Sequence, residues 1–449
     1  MNRDSFGGRW AVIMALAGSA IGLGNIWRFP YVAGQNGGGA FILVYIIATI
    51  ILSLPIFCAE SIIGRRSGAN CRGAMKKLAS GTRWHLFGLL SVITPILIVS
   101  YYSVVGGWSL DYLFKALTLS FTTAGDYVPS FGAFASSTRE PLLAHTAFLL
   151  LCVLILVGGI RKGIGRVSKF GMPILFLTIV AIAIYSLTLP GAGAGAGYLL
   201  KPDFSKISAR TCLEAIGQSF YSLSLGMGIV ITYSSYVKKE ENLLMVGAGT
   251  AVSDLFFAML SGLAIMPAVF AAGIAPGSGP GLIFDTLPYI FSSMSESLPL
   301  VTPIVAVLFF LTVLFAAVTS AVSLLEVGVA YLSEEFHMRR RKAITIVALF
   351  VWIAGGLCSM SLGQLSGIKI FGLNIFDALD KFCSNILLIA GGLLCVIFVG
   401  WKMKREDVRD EFTNGGQKKL NSRVFGAVYF VIRYLAPLTV LAIFASNII

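Results

Sequence analysis

The segment Gly18-Ser19-Ala20-Ile21-Gly22-Leu23-Gly24-Asn25-Ile26-Trp27-Arg28 sets glycines, a carboxamide and a guanidinium inside a stretch otherwise apolar enough to cross a bilayer. Hydrocarbon tolerates non-helical backbone only where protein or a water-filled cavity covers it, so a break here predicts an internal binding cavity. An ionisable residue at such depth points the same way. A second stretch, Ser219-Phe220-Tyr221-Ser222-Leu223-Ser224-Leu225-Gly226-Met227-Gly228, repeats the peculiarity with hydroxyls and glycines at mid-membrane depth.

These two stretches must be held by membrane helices. Of 449 residues, 57% are hydrophobic and 12% charged, and the mean hydropathy is +0.86. That balance excludes an ordinary soluble globular protein. Windows long enough to span about 30 Å of hydrocarbon fall at 10–34, 40–63, 87–116, 141–158, 167–189, 212–236, 243–273, 300–333, 343–360, 373–401 and 423–447, which predicts eleven helices. The first lacks the small-residue cleavage site of a signal peptide.

A net charge of +13 could suggest nucleic acid, but the basic residues lie between spans rather than along one amphipathic face. With the N-terminus inside, 25 of the 34 Lys and Arg fall in cytoplasmic segments and six in outer ones; Arg28, Lys381 and Arg433 lie within spans. The positive-inside rule then predicts a cytoplasmic N-terminus and an outer C-terminus. The seven cysteines are scattered singly, and His85, His145 and His337 sit near span ends, so no disulfide or metal framework is expected.

The two interrupted helices are the first and the sixth, five places apart in the order of spans, so the second copy enters from the opposite side. Paired Gly-interrupted segments in corresponding halves point to an inverted-repeat transporter with its site at the breaks. The expected organisation is residues 1–189 as a first five-helix repeat, 190–401 as a second with an outer hairpin at 274–299, and 402–449 as a cytoplasmic loop and eleventh helix. The Gly-Ala run 191–197 is expected to be a loop.

Read together with Phe29-Pro30, Asn36-Gly37-Gly38-Gly39-Ala40-Phe41, Glu60, Tyr101-Tyr102, the Gly279-Pro280-Gly281-Leu282 loop, Thr319-Ser320, Asp380 and Ser384-Asn385, these segments resemble the neurotransmitter:sodium symporter family. The likeness is strongest to its bacterial eleven-span amino-acid transporters. It implies an all-α integral membrane protein, a five-plus-five inverted-repeat bundle with unwound first and sixth helices and an added eleventh helix, in a bacterial inner membrane.

The resemblance also implies sites. Sodium is a hard cation that takes oxygen ligands, and unwound backbone supplies carbonyls. One sodium would be held by the Ala20 carbonyl, Asn25, Ser222, Asp254 and the substrate carboxylate, and a second by the carbonyls of Gly18, Ile21 and Ala316 with the hydroxyls of Thr319 and Ser320. Thr319 and Ser320 could instead back-bond within their own helix. The chloride-dependent animal members carry asparagine at the place of Asp254 and serine at that of Ala258, so a fixed carboxylate here implies chloride-independent transport. An ionisable Asp254 could also carry a proton outward on the empty return step.

The substrate carboxylate would meet the amides of Leu23 and Gly24 and the Tyr102 hydroxyl; its ammonium would meet the carbonyls of Ala20, Tyr221 and Ser222 and the Ser224 hydroxyl. Ile98, Tyr102, Tyr221, Ser224, Met227, Ser320 and Leu324 would line its side chain, which favours a neutral, apolar or aromatic amino acid because an unpaired charge there is costly to desolvate. Arg28 and Asp380 would close an outer gate over Tyr221, and Arg3 with Glu334 an inner one, with Phe6 where an aromatic plug, commonly Trp, is expected. Glu60 would accept from the unwound sixth helix, and the Gly163…Pro173 spacing resembles a segment that some relatives unwind.

The chain therefore reads as a sodium-coupled symporter rather than an enzyme, with the lipid bilayer, an amino acid and two sodium ions as partners, no nucleic acid, and no required oligomer. An ion channel is a rival, but it would show pore-lining polar residues across several helices or repeated subunits. A proton-coupled carrier on the same scaffold is another, and the amide and hydroxyl ligands speak against it.

Overall fold

The computed structural model describes Phe6 and residues 8–120, 130–273, 282–295 and 298–448. Among them, nine continuous helices are long and apolar enough to cross a membrane: Gly39–Ser67, His85–Leu117, Arg139–Val157, Gly159–Leu187, Leu243–Ala271, Thr302–Glu335, Arg340–Met360, Ile375–Lys402 and Lys419–Ser446. These are spans two to five and seven to eleven. The other two expected spans are the interrupted ones.

Span one consists of Arg9–Ala20 and Gly24–Gln35, bent by 56°. At the joint Ile21 is extended (φ −73°, ψ 101°). Side chains take over what regular helix would have done for the backbone: the Gly22 amide donates to Asn25 Oδ1 (3.1 Å), the Leu23 amide to the Tyr102 hydroxyl oxygen (3.2 Å), and the Ser224 hydroxyl donates to the Ser19 carbonyl (3.1 Å). A break buried in hydrocarbon survives only with such partners.

Span six consists of Ala209–Ser222 and Ile229–Ser234, and residues 223–228 between them are irregular. Ser224, Gly226 and Gly228 all have positive φ (55°, 79° and 72°). Gly226 is required on two counts, because a Cβ there would lie 2.8 Å from the Gly392 amide nitrogen of span ten. Its own amide donates to Glu60 Oε1 at 2.6 Å, the supporting contact expected of Glu60.

Burial sorts the bundle. Spans three and eight have 72% of their most apolar window buried, spans four, five and nine 39%, and span eleven 28%. The first two therefore form the wall against which the breaks pack, and the others face lipid. Two expectations about connecting segments need correction or restriction. The Gly-Ala run is a helix, Ala192–Leu200, because alanine favours helix and Gly195 lets it approach span seven so closely that a Cβ would sit 2.7 Å from the Met266 carbonyl oxygen. Of the outer hairpin 274–299, Leu282–Thr286 forms a wide π-type turn and Leu287–Ser295 a short helix, while 274–281 and 296–297 lie outside the described residues.

The basic end of the bundle is tied across three segments. Arg65, at the end of span two, pairs with Glu411 and donates to the Glu241 carbonyl (2.6 Å), the Glu411 carbonyl (2.5 Å) and Asn414 Oδ1 (3.0 Å). Asn414 in turn donates to the Lys239 carbonyl at 2.6 Å. Span two, the connection between spans six and seven, and the helix Arg405–Thr413 are thus joined through one guanidinium.

Candidate functional site

The two breaks meet mid-bundle around a cavity lined by Ser19, Ala20, Gly22, Gly24, Ile98, Tyr102, Tyr221, Ser222, Ser224, Met227, Ile229, Ser320 and Leu324. Ten of the eleven residues expected to contact substrate are there. Leu23 is the exception: it lines the vestibule above, and its amide already donates to Tyr102. Ser19, Gly22 and Ile229 were not foreseen, although Ser19 and Gly22 belong to the segment that marks the first break. The space open to water centres is about 30 Å³, room for about two waters.

Beside this cavity a fully buried polar cluster forms around Asp254 of span seven. Asn25 Nδ2 donates to Asp254 Oδ1 (2.7 Å) and to Ser222 Oγ (3.1 Å), and the Ser222 hydroxyl lies 2.8 Å from both carboxylate oxygens. The Tyr45 hydroxyl donates to Oδ2 at 3.1 Å. Asp254, Asn25 and Tyr45 are each 0% exposed, so a carboxylate without such donors would be prohibitively costly here. Sequence reasoning missed Tyr45, which sits alone in an apolar run 209 positions from its partner.

A second group of oxygens collects where span eight crosses the first break. The Ser320 hydroxyl faces the carbonyls of Ser19 (3.2 Å) and Ile21 (3.4 Å). Thr319 Oγ1 donates instead to Phe315 (3.0 Å) and Ala316 (3.2 Å) carbonyls, the back-bonding alternative for this residue. Gly18 packs against the same part of span eight, since a Cβ added there would lie 3.5 Å from Thr319 Cβ and 3.4 Å from Ser168 Oγ. All donors in both groups are oxygens or can turn an oxygen inward, which suits a hard monovalent cation.

Above the cavity lies a vestibule of about 310 Å³ lined by Arg28, Tyr101, Tyr221, Phe376, Asp377, Asp380 and Lys381, among others. Tyr221 and Tyr102 line both spaces, so their rings are the partition between them. Arg28 and Asp380 face the same vestibule, as expected, with no ion pair within 4 Å between them in this conformation. The Arg28 guanidinium instead stacks over the Tyr221 ring, 4.6 Å from its centroid.

The opposite end is shut. Phe6 is 2% exposed and packs against Tyr233 and Tyr236 at centroid distances of 5.6 and 6.1 Å. Below it, Arg340 holds the fully buried Glu326 through two bonds (3.0 and 2.6 Å), and the Tyr236 hydroxyl donates to Glu326 at 3.0 Å. This lock was not anticipated. Of the inner pair that was, Arg3 lies outside the described residues, and the Glu334 carboxylate accepts from the Asn70 amide (2.7 Å) and side chain (3.0 Å). The three histidines are dispersed, and no group of three or more His, Cys, Asp and Glu capable of holding a metal occurs among the described residues.

Comparison with known proteins agrees with this geometry. A profile described as the Sodium:neurotransmitter symporter family matches residues 3–127 and 136–449. A sodium-dependent transporter of Bacillus subtilis is 40% identical, covering 97% of this chain and 96% of its own length. One from Haemophilus influenzae is 35% identical over 99% and 98%, and the sodium-dependent serotonin transporter of Drosophila melanogaster 24% over 99% and 76%. The crystal structure of MhsT in complex with L-phenylalanine superposes with a TM-score of 0.89 at 40% identity, covering 99% of this chain and all of that one.

Proposed function

The chain belongs to the sodium:neurotransmitter symporter family, a multi-pass membrane transporter, and from that premise we propose that it carries a neutral, hydrophobic or aromatic L-amino acid together with sodium by alternating access. The observation that carries the reading is the cavity between two broken helices, whose walls offer bare backbone at one side and Ile98, Tyr102, Tyr221, Met227 and Leu324 at the other. Among the described residues no acidic or basic side chain lines it, so a zwitterion would be held through backbone dipoles and hydroxyls and its side chain through apolar contact. MhsT, similar along the whole chain, was crystallised with L-phenylalanine.

In this reading the Asn25–Ser222–Asp254 cluster with the Ala20 carbonyl takes one sodium beside the substrate carboxylate. The oxygens of Gly18, Ile21, Ala316, Thr319 and Ser320 take another, Thr319 giving up its back-bond to do so. Asp254 supplies the negative charge that lets the protein dispense with chloride. The small present volume means that the walls part to admit substrate, with Tyr102 and Tyr221 swinging as the partition. Arg28 then leaves the Tyr221 ring for Asp380, closing the vestibule, and release at the other end requires Phe6 and the Glu326–Arg340 pair to separate. The basic end is the cytoplasmic one by charge, in a bacterial inner membrane. Two positive charges crossing about 100 mV gain about 4.6 kcal/mol, enough for roughly 2000-fold accumulation.

The deciding experiment is a thermal-shift screen of the twenty amino acids in sodium and in potassium. Apolar and aromatic L-amino acids are expected to raise the melting temperature in sodium only. Equal stabilisation in potassium, or stabilisation by lysine or glutamate, overturns the reading.

A further inference from the structure

Three basic residues lie inside spans. Arg28 and Lys381 line the vestibule. Arg433, in the wide π-type turn Val431–Leu435 of span eleven, stands at the other end of the bundle, where span ten finishes in Trp401 and Lys402. The two spans touch there through backbone: a Cβ on Gly400 would lie 2.9 Å from Arg433 Cα, and Trp401 Nε1 donates to the Arg433 carbonyl at 2.9 Å.

The Arg433 guanidinium lies 4.7 Å from the Trp401 ring centroid and 5.6 Å from that of Tyr434, and these two rings meet edge to face. Aromatic faces attract a cation but satisfy none of the five N–H donors of a guanidinium. Among the described residues the Arg433 side chain makes one hydrogen bond, a long one from Nη1 to the Tyr429 hydroxyl (3.5 Å), and its Nε is buried without a partner. One turn nearer the start of span eleven, Tyr429 and Phe425 carry a second guanidinium: that of Arg405 lies 5.6 Å and 6.0 Å from their ring centroids. Phe425, Tyr429 and Arg433 recur every four residues and so share one face of span eleven. Neither guanidinium has a carboxylate within 4 Å among the described residues. Asp407 and Asp410 of the adjoining helix go to Arg66, Glu411 goes to Arg65 and Arg66, and Glu406 is exposed.

A charge inside a span ordinarily has a partner or reaches the interface. Here the surroundings say which anion is at hand. Trp401, Phe430, Tyr434 and Leu438 are 44–67% exposed on the least buried span of the bundle, so lipid faces the rings that hold Arg433, and the anion that a bilayer brings to this level is the phosphate of its headgroups. We infer that Arg433 and Arg405 form a headgroup site for an anionic phospholipid of the leaflet at the basic end, its phosphate taken by the Arg433 donors that the protein leaves unused, with Arg405 facing the same head. A guanidinium fork matches a phosphate bidentately, and Trp and Tyr are the rings that settle at headgroup depth. The lipid thereby bridges span eleven to the segment that leaves span ten. The inference needs only that the chain spans a membrane, whatever it carries.

The test uses the full chain in detergent micelles, with native mass spectrometry reading how much phosphatidylglycerol, or phosphatidylcholine of identical acyl chains, stays bound. The unaltered chain is expected to retain phosphatidylglycerol in preference. Arg405→Gln is expected to lower that preference about fivefold, the equivalent of about 1 kcal/mol for one arginine at the membrane surface. Arg433→Gln is expected to lower it about tenfold, because the deeper charge acts through a lower dielectric, and both variants are expected to hold phosphatidylcholine as before. Arg405 is exposed and outside every ion pair among the described residues, so its variant decides the matter even if Arg433→Gln fails to fold. Excess inorganic phosphate is expected to leave the lipid in place. Equal retention of the two lipids by the unaltered chain, an undiminished preference in Arg405→Gln, or displacement of phosphatidylglycerol by inorganic phosphate overturns the site.

Discussion

Asp254 is the residue on which the ionic character of the site turns. It is buried with three side-chain donors, Asn25, Ser222 and Tyr45, drawn from spans one, six and two. In the proposed sodium site a fixed carboxylate would do what a bound anion otherwise does, so uptake into liposomes is expected to persist when chloride is replaced by gluconate; a sharp fall would refute this role. The sequence made Asn25, Ser222 and Asp254 visible because each interrupts an apolar helix. Tyr45 stayed hidden because an aromatic in a span is ordinarily packing, and only the fold reveals that its hydroxyl reaches a carboxylate. Glu326 escaped for a related reason: it reads as a charge near a span end until Arg340 of the next helix is seen to grip it.

At the scale of elements, the breaks in spans one and six were legible from glycine and hydroxyl placement alone, because hydrocarbon leaves so few uses for those residues in mid-helix. The helix Ala192–Leu200 was not, because alternating glycine and alanine is locally indistinguishable from a flexible linker, and close packing on span seven decides the matter. Span five holds another question. Its start, Gly159–Ile164, is a wide π-type turn leading into an α-helix that continues through Pro173. A proline inside a helix removes one hydrogen bond and strains the preceding turn, so on the proposed reading this stretch is the one expected to unwind when sodium leaves toward the basic end. Amide exchange of residues 163–173 is expected to be faster without sodium than with it. Equal slow exchange in both conditions would rule that out.

For the molecule as a whole, the two ends are held differently. The basic end depends on Arg65, whose guanidinium is 2% exposed and satisfies acceptors from two separate connections. Arg65→Ala leaves Glu411, 8% exposed, without its closest partner. Breaking such a buried pair costs about 3 kcal/mol, and a fall in melting temperature of about 3 °C is expected in detergent; an unchanged melt would mean that the tie carries no stability.

Among the described residues, the vestibule end shows no comparable fastening. Arg28 and Asp380 stand apart around about 310 Å³ of open space, with Tyr221 as its floor. Blockade of this carrier is therefore one-sided in principle. A bulky aromatic cation arriving over Tyr221 finds its berth already built and acts as a wedge between the jaws, competing with Arg28 for the ring. From the opposite face the same compound meets a bolted door, and it must wait for turnover to draw the bolt.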